Sequence, residues 1–226
     1  MSDDITLALE GATYAGSVAV IQGGEVIAER ALENVPKPGR GGREERFLPM
    51  VAECLADAGV RTSDLARVVC GAGPGSFTSL RVAASVAKGI AVGADCPLFA
   101  VSSLLLIVAG SRVLDGSWLA AIPAMRGESY AALFEVAGDQ IREIGGTRLV
   151  HDEALSGEAH RLGATIIGPG LHDAVLPHAR GVAHVLPALL AQGACDIATW
   201  EPSYGRLAEA QVKWEAAHGR PLTAAG

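Results

Sequence analysis

The residues of this chain best suited to chemistry run Gly71-Ala72-Gly73-Pro74-Gly75-Ser76, a glycine turn that feeds a helix. Such turns can cradle phosphate, because the free amides of a helix start point outward and glycine lets an anion come close. Only two of the three glycines of a GxGxxG fingerprint are present, with Ser76 at the third place. A GxxxxGK[ST] phosphate loop is missing, since Lys88-Gly89 stands in reversed order and too far along. Pro74-Gly75 also suits a type II turn, proline fixing φ and glycine supplying the positive φ. Ser76 or Thr78 can cap the helix that follows. On these residues alone, a structural turn and a phosphate contact are both open.

The helix after the turn has two characters. Phe77, Leu80, Ala84, Ala87 and Ala91 form one apolar face, the natural core side, with Phe77 expected to anchor it. Arg81, Ser85 and Lys88 fall on a neighbouring side, with Ala83 and Val86 between. Small residues and two cations there would let another helix approach, or they simply reflect an alanine-rich composition.

Other catalytic patterns are thin. The histidines at 151, 160, 172, 178, 184 and 218 make no HxxxH or HxxH pair on one helix, which argues against a helical metal site. His178 and His184 read as surface residues. There is no GxSxG nucleophile turn. Glu44-Glu45 and Asp152-Glu153 sit at expected helix starts, where the helix dipole accounts for them without catalysis.

The elements that must hold these residues follow from periodicity. Strands are expected at 5–9, 17–21 and 26–31, the last two joined at Gly23-Gly24, a two-residue hairpin signal. A turn-rich segment, 33–43, precedes a helix over 45–58, and Lys37, Arg40, Arg43 and Arg46 lie in or beside it. That cluster reads as a solvated loop, with a nucleic-acid contact as the alternative. A strand at 66–70, the glycine turn, a helix ending near Gly93 and a strand at 98–101 complete a hairpin-then-alternation order that fits an RNase H-like layer. Strands at 119–122, 130–136 and 141–147, a helix at 152–162 and a strand at 165–167 repeat the plan more loosely. Gly168-Pro169-Gly170 is expected to open another helix, and a last one is expected at 207–218. The repeated strand-into-Gly-Pro-Gly pattern hints at duplication, with a boundary near 102–110. This gives domains of 1–105 and 106–226, with the terminal helix packing back on the first half.

Bulk properties narrow the function. The 226 residues suffice for one large or two small domains, and only 4% are aromatic, so the core must be built from Ala, Val, Leu and Ile. A net charge of −7 argues against the chain gripping nucleic acid unaided. Four separated cysteines without CxxC read as reduced thiols of a cytoplasmic protein. The apolar stretch 101–110 is too short to span a membrane, which takes about 20 residues.

The stretch GPGSFTSLRVAASVAKGIA, 73–91, closely resembles the TsaB (YeaZ-like) signature GPGSFTGxRxGxxxAxGLA. GGREERFLPMVAECLADAG is similar to the first long helix of that family, VSSLLLIVAG to the segment after its signature, and AMRGESYAALFEV to its second-domain hairpin. EPSYGR is similar to the family's EPxYLR element, so the matches run in order along nearly the whole chain. The resemblance implies an α/β, actin-like ATPase (ASKHA) fold of two RNase H-like subdomains, with mixed sheets flanked by helices. It implies a non-catalytic subunit in making threonylcarbamoyladenosine next to the anticodon of ANN-reading tRNAs. The expected partners are TsaD as a heterodimer and the ATPase TsaE in a larger assembly, with a homodimer when alone and tRNA touched only indirectly. No cofactor or metal of its own is expected.

Partner contact is expected from Phe77, Leu80, Arg81, Ala84, Ser85 and Lys88, with Phe47, Met50 and Val51 of the preceding helix beside them. The sequence departs from the family where its first strand ends Glu10-Gly11 rather than Asp-Thr, and where Pro123-Ala124 replaces Asp-Ala. Arg43 or a neighbour stands for a usual histidine, and Ser79 for a glycine of the signature. Loss of two acids that kinases of this fold place around Mg-nucleotide weakens the alternative, an active small kinase or glycoprotease-like hydrolase.

Overall fold

The structure, a computed structural model, describes residues 4–32, 46–111, 113–171 and 174–205. The expected helix at 207–218 and the loop at 33–43 lie outside the described residues. Two mixed sheets carry the chain. The first is built from β1 (Ile5–Glu10), β2 (Ser17–Gln22), β3 (Glu25–Ala31), β4 (Leu65–Gly71) and β5 (Leu98–Val101), in the order β3-β2-β1-β4-β5. β1 to β3 are antiparallel neighbours, whereas β1, β4 and β5 run parallel. The second is built from β6 (Gly116–Pro123), β7 (Glu128–Ala137), β8 (Gln140–His151) and β9 (Thr165–Ile167), in the order β8-β7-β6-β9. Its β6 again pairs antiparallel with the next strand and parallel with the last, the same plan as β1 with one strand fewer.

Period-two alternation explains how the first sheet is covered on both sides. Leu7, Leu9, Val18, Val20 and Val68 point to one face, where α1 (Phe47–Ala58) and α2 (Phe77–Gly93) lie on them. Ala8, Ala19 and Val69 point to the other, under α3 (Ser103–Ser111) and α5 (Val182–Gln192). In the second sheet Ala120, Ile122, Ala132 and Phe134 face α3, while Leu119, Ala121 and Ala131 face α4 (Leu155–Leu162). α3 therefore serves both sheets. Leu106 and Ala109 join the first core, and Leu104, Ile107 and Val108 the second.

One expectation changes here. Gly168-Pro169-Gly170 opens no helix; the described residues that follow are irregular apart from a bridge from Gly168 to Ala174 until a short 3-10 turn at Ala179–Gly181 leads into α5. The segment around the expected boundary holds a buried helix, α3.

Candidate functional site

The glycine turn is built by contacts on both sides. Ser76 is the N-cap of α2 and accepts from the Ser79 amide. Gly73 takes positive φ, 85°, and a Cβ there would meet the Ser203 carbonyl. Gly75 lies outside the positive-φ region, so the expected type II turn does not form; the Gly73–Pro74 peptide is cis. Glycine is needed at 75 because a Cβ would strike the Ala12 carbonyl.

Three amides of the turn face inward. Ala72 N–H donates to the Val101 carbonyl at 2.7 Å, Gly73 N–H to Ser103 Oγ at 3.1 Å, and Ser76 N–H to the Ala12 carbonyl at 2.7 Å. Beside them sits Glu10, fully buried, whose Oε1 accepts from the Ala12 amide at 2.5 Å. Ser103 Oγ–H reaches the same carboxylate, 2.9 Å from Oε2 and 3.2 Å from Oε1. Burial pushes the Glu10 carboxyl up to about 7, against the opposing pull of hydrogen bonds from Ala12, Ser103 and Gly11. The structural reading of the turn therefore fits its geometry.

α2 divides the expected contact residues. Leu80 is fully buried and Ala84 only 5% exposed, so both belong to the core. Phe47, Met50 and Val51 are likewise turned into the first core, and α1 presents Leu48, 53% exposed, in their place. Phe77, expected to anchor α2 in its own core, is instead 38% exposed. Its ring lies 4.5 Å from that of Tyr204, and the Arg81 guanidinium stands 4.9 Å over it. Lys88 reaches over Trp200 at 5.8 Å. The outward ridge thus runs Phe77, Arg81, Ser85, Gly89 and Val92, with Lys88 half-buried beside it. A Cβ at Gly89 or Gly93 would meet nothing within 4 Å among the described residues.

Trp200 and Tyr204 escaped sequence reasoning. They arrive on a segment that crosses back over α2 and is tied down where Cys195 N–H donates to Leu98 and Ser203 N–H to Ala72. Both aromatic residues flank Glu201-Pro202-Ser203, so that element was the available signal. Glu10 and Ser103 were also missed as partners, being 93 residues apart in sequence.

His184 is exposed, as expected, but His178 is not a surface residue. Its Nδ1 accepts from the Arg180 amide at 3.1 Å, and burial first, with Arg180 nearby, pulls it down to about 4. No group of three or more His, Cys, Asp or Glu that could hold a metal occurs among the described residues. No helix among them is long and apolar enough to cross a membrane.

Two sheets of one plan, helices on both faces of the first and a glycine turn opening α2 define a protein of the actin-like ATPase (ASKHA) fold. A solved YeaZ from Pseudomonas aeruginosa is similar over 89% of this chain and 99% of its own, with TM-score 0.71 and 25% identity. A family model described as "TsaD: tRNA N6-adenosine threonylcarbamoyltransferase" matches residues 26–170. The "tRNA threonylcarbamoyladenosine biosynthesis protein TsaB" of Escherichia coli (strain K12) is 35% identical over 162 residues, 67% of this chain and 68% of that protein. The chain belongs to the TsaB (YeaZ-like) family. The protein of the same name from Bacillus subtilis (strain 168) is 30% identical over 138 residues, 61% of this chain and 58% of that relative.

Proposed function

We propose that this chain is a non-catalytic assembly subunit of the machinery that installs threonylcarbamoyl on the adenosine beside the anticodon of ANN-reading tRNAs. It acts by seating a TsaD threonylcarbamoyltransferase on the outward ridge of α2. The observation that carries this reading is the ridge itself: Phe77, Arg81, Ser85, Gly89 and Val92 in one exposed line, with Val92 66% exposed. Short side chains at Ser85 and Gly89 allow close helix approach, Phe77 and Val92 offer apolar contacts toward either end, and Arg81 and Lys88 supply charge. Leu48 of α1 extends the surface. Phe47, Met50, Val51, Leu80 and Ala84 support the two helices from beneath rather than touching the partner.

A kinase or hydrolase reading is less favoured because the amides of Ala72, Gly73 and Ser76 already serve the protein's own carbonyl and hydroxyl oxygens. The ATPase TsaE belongs to the larger assembly, and tRNA is met by the complex rather than by this acidic chain. Reconstituting tRNA modification from the cognate TsaD, TsaE and the adenylate-forming enzyme tests the reading. Product should form only when this chain is added, and the chain alone should turn over no Mg-ATP. Modification that proceeds equally well without it would refute the proposal.

A further inference from the structure

Glu10 is a charged group with no catalytic task in the account above, and its surroundings are unusual for a buried acid. Among the described residues no cationic side chain takes part in holding it. Its hydrogen bonds come from the backbone amides of Gly11 and Ala12 and from the Ser103 hydroxyl. Ser103 Oγ in turn accepts from Gly73 N–H, so the glycine turn is wired to the same carboxylate through one hydroxyl. The fourth wall is Gly71, where a Cβ would collide with Oε2. Three chain segments therefore converge on one carboxyl group at the carboxyl end of β1: the β1–β2 turn, the β4–α2 turn and the start of α3. Successive backbone amides aimed into a concavity make an anion site without any cation.

We infer that this pocket is a carboxylate-binding cradle whose permanent occupant is the protein's own Glu10. The side chain acts as an internal ligand: it buckles the three segments together and keeps the strand end shut to outside anions. This goes beyond the partner-binding reading and does not depend on it.

The inference is tested by excising the ligand. Glu10→Ala deletes a CH2–COO⁻ group, and acetate is that fragment with one more hydrogen. Thermal unfolding of E10A and of the unaltered chain is followed at pH 5, where the buried carboxyl of Glu10 keeps its proton and an added acid can enter with one, in sodium chloride, sodium acetate, sodium formate and sodium isobutyrate at equal ionic strength. The unaltered chain should unfold alike in chloride and acetate. The E10A midpoint should rise saturably by about 5 °C or more once acetate is 100-fold above its Kd, formate should also raise it, and branched isobutyrate should do no better than chloride. An E10A midpoint that ignores acetate, or that isobutyrate raises as much as acetate does, overturns the inference. If E10A is recovered unfolded in chloride, the folded fraction by circular dichroism replaces the midpoint. Folding restored by acetate supports the cradle, and a chain that stays unfolded in acetate overturns it.

Discussion

Replacing Glu10 by glutamine should erase a specific part of the protein's pH dependence. Glu10 titrates near 4.5 when unfolded and near 7 in the folded chain, so between those values the folded state holds a proton that the unfolded state has lost. Stability from this group is complete below about pH 4.5, falls as pH rises, and is lost above about 7. The difference of roughly 2.5 units corresponds to about 3 kcal/mol, at 1.36 kcal/mol per unit. The glutamine amide of E10Q keeps an oxygen for the Ala12 N–H and turns its NH2 toward Ser103 Oγ, so the local bonds survive without the charge. His178 works the opposite way, because its folded value near 4 makes stability rise with pH up to about 6.5. The two slopes partly cancel in the unaltered protein, so the informative quantity is the difference between E10Q and that protein, measured by urea unfolding at pH 4.5, 6 and 8. The E10Q-minus-parent stability should rise by about 3 kcal/mol from pH 4.5 to 8. Parallel curves would refute the assignment of a buried, reluctant carboxylate.

Three further outcomes follow from the same geometry. Gly71→Ala drives a Cβ into the Glu10 carboxylate and should cost about 1–3 kcal/mol by chemical denaturation. Leu80→Ala, in the core, should cost about 2–5 kcal/mol, whereas Phe77→Ala, which loses mainly its ring contact with Tyr204, should cost about 1 kcal/mol; equal losses would contradict the placement of Phe77 outside. Burial pushes the Cys54 thiol up to about 11 and Cys70 further still, so iodoacetamide at pH 8 should label the half-buried Cys195 before either, as read by mass spectrometry.

Much of the fold was legible because burial and period agree locally. Leu7-Ala8-Leu9 alternates as a two-sided strand should, Gly23-Gly24 takes positive φ at both positions, and Ser76 caps α2. α3 was not legible as an element, since Ser103-Leu104-Leu105-Leu106-Ile107-Val108 is apolar all round and a helix buried on every side shows no period. α5 was hidden by Pro187 in its middle. The candidate site split along the same line. Arg81, Ser85 and Lys88 were readable as the polar side of α2 and Leu80, Ala84, Ala87 and Ala91 as buried, but helical spacing alone could not say that Phe77 lies outside the core. That depends on Tyr204, which supplies an aromatic neighbour from far along the chain. The Glu10 cradle was unreadable because its walls come from residues 10–12, 71–73 and 103, and no local pattern links them.

The central claim is that the ridge of α2 seats the transferase. Calorimetric titration of the cognate TsaD with this chain, and with the R81E/K88E double variant, tests it most directly. Arg81 stands over the exposed Phe77 ring and Lys88 over the half-buried Trp200 ring, neither cation in the core, so the variant should keep the parent's circular dichroism and melting profile. Its affinity should fall by about 100-fold or more, because reversed charges at an interface leave their counterparts unpaired. Undiminished affinity in a folded R81E/K88E protein would contradict the account.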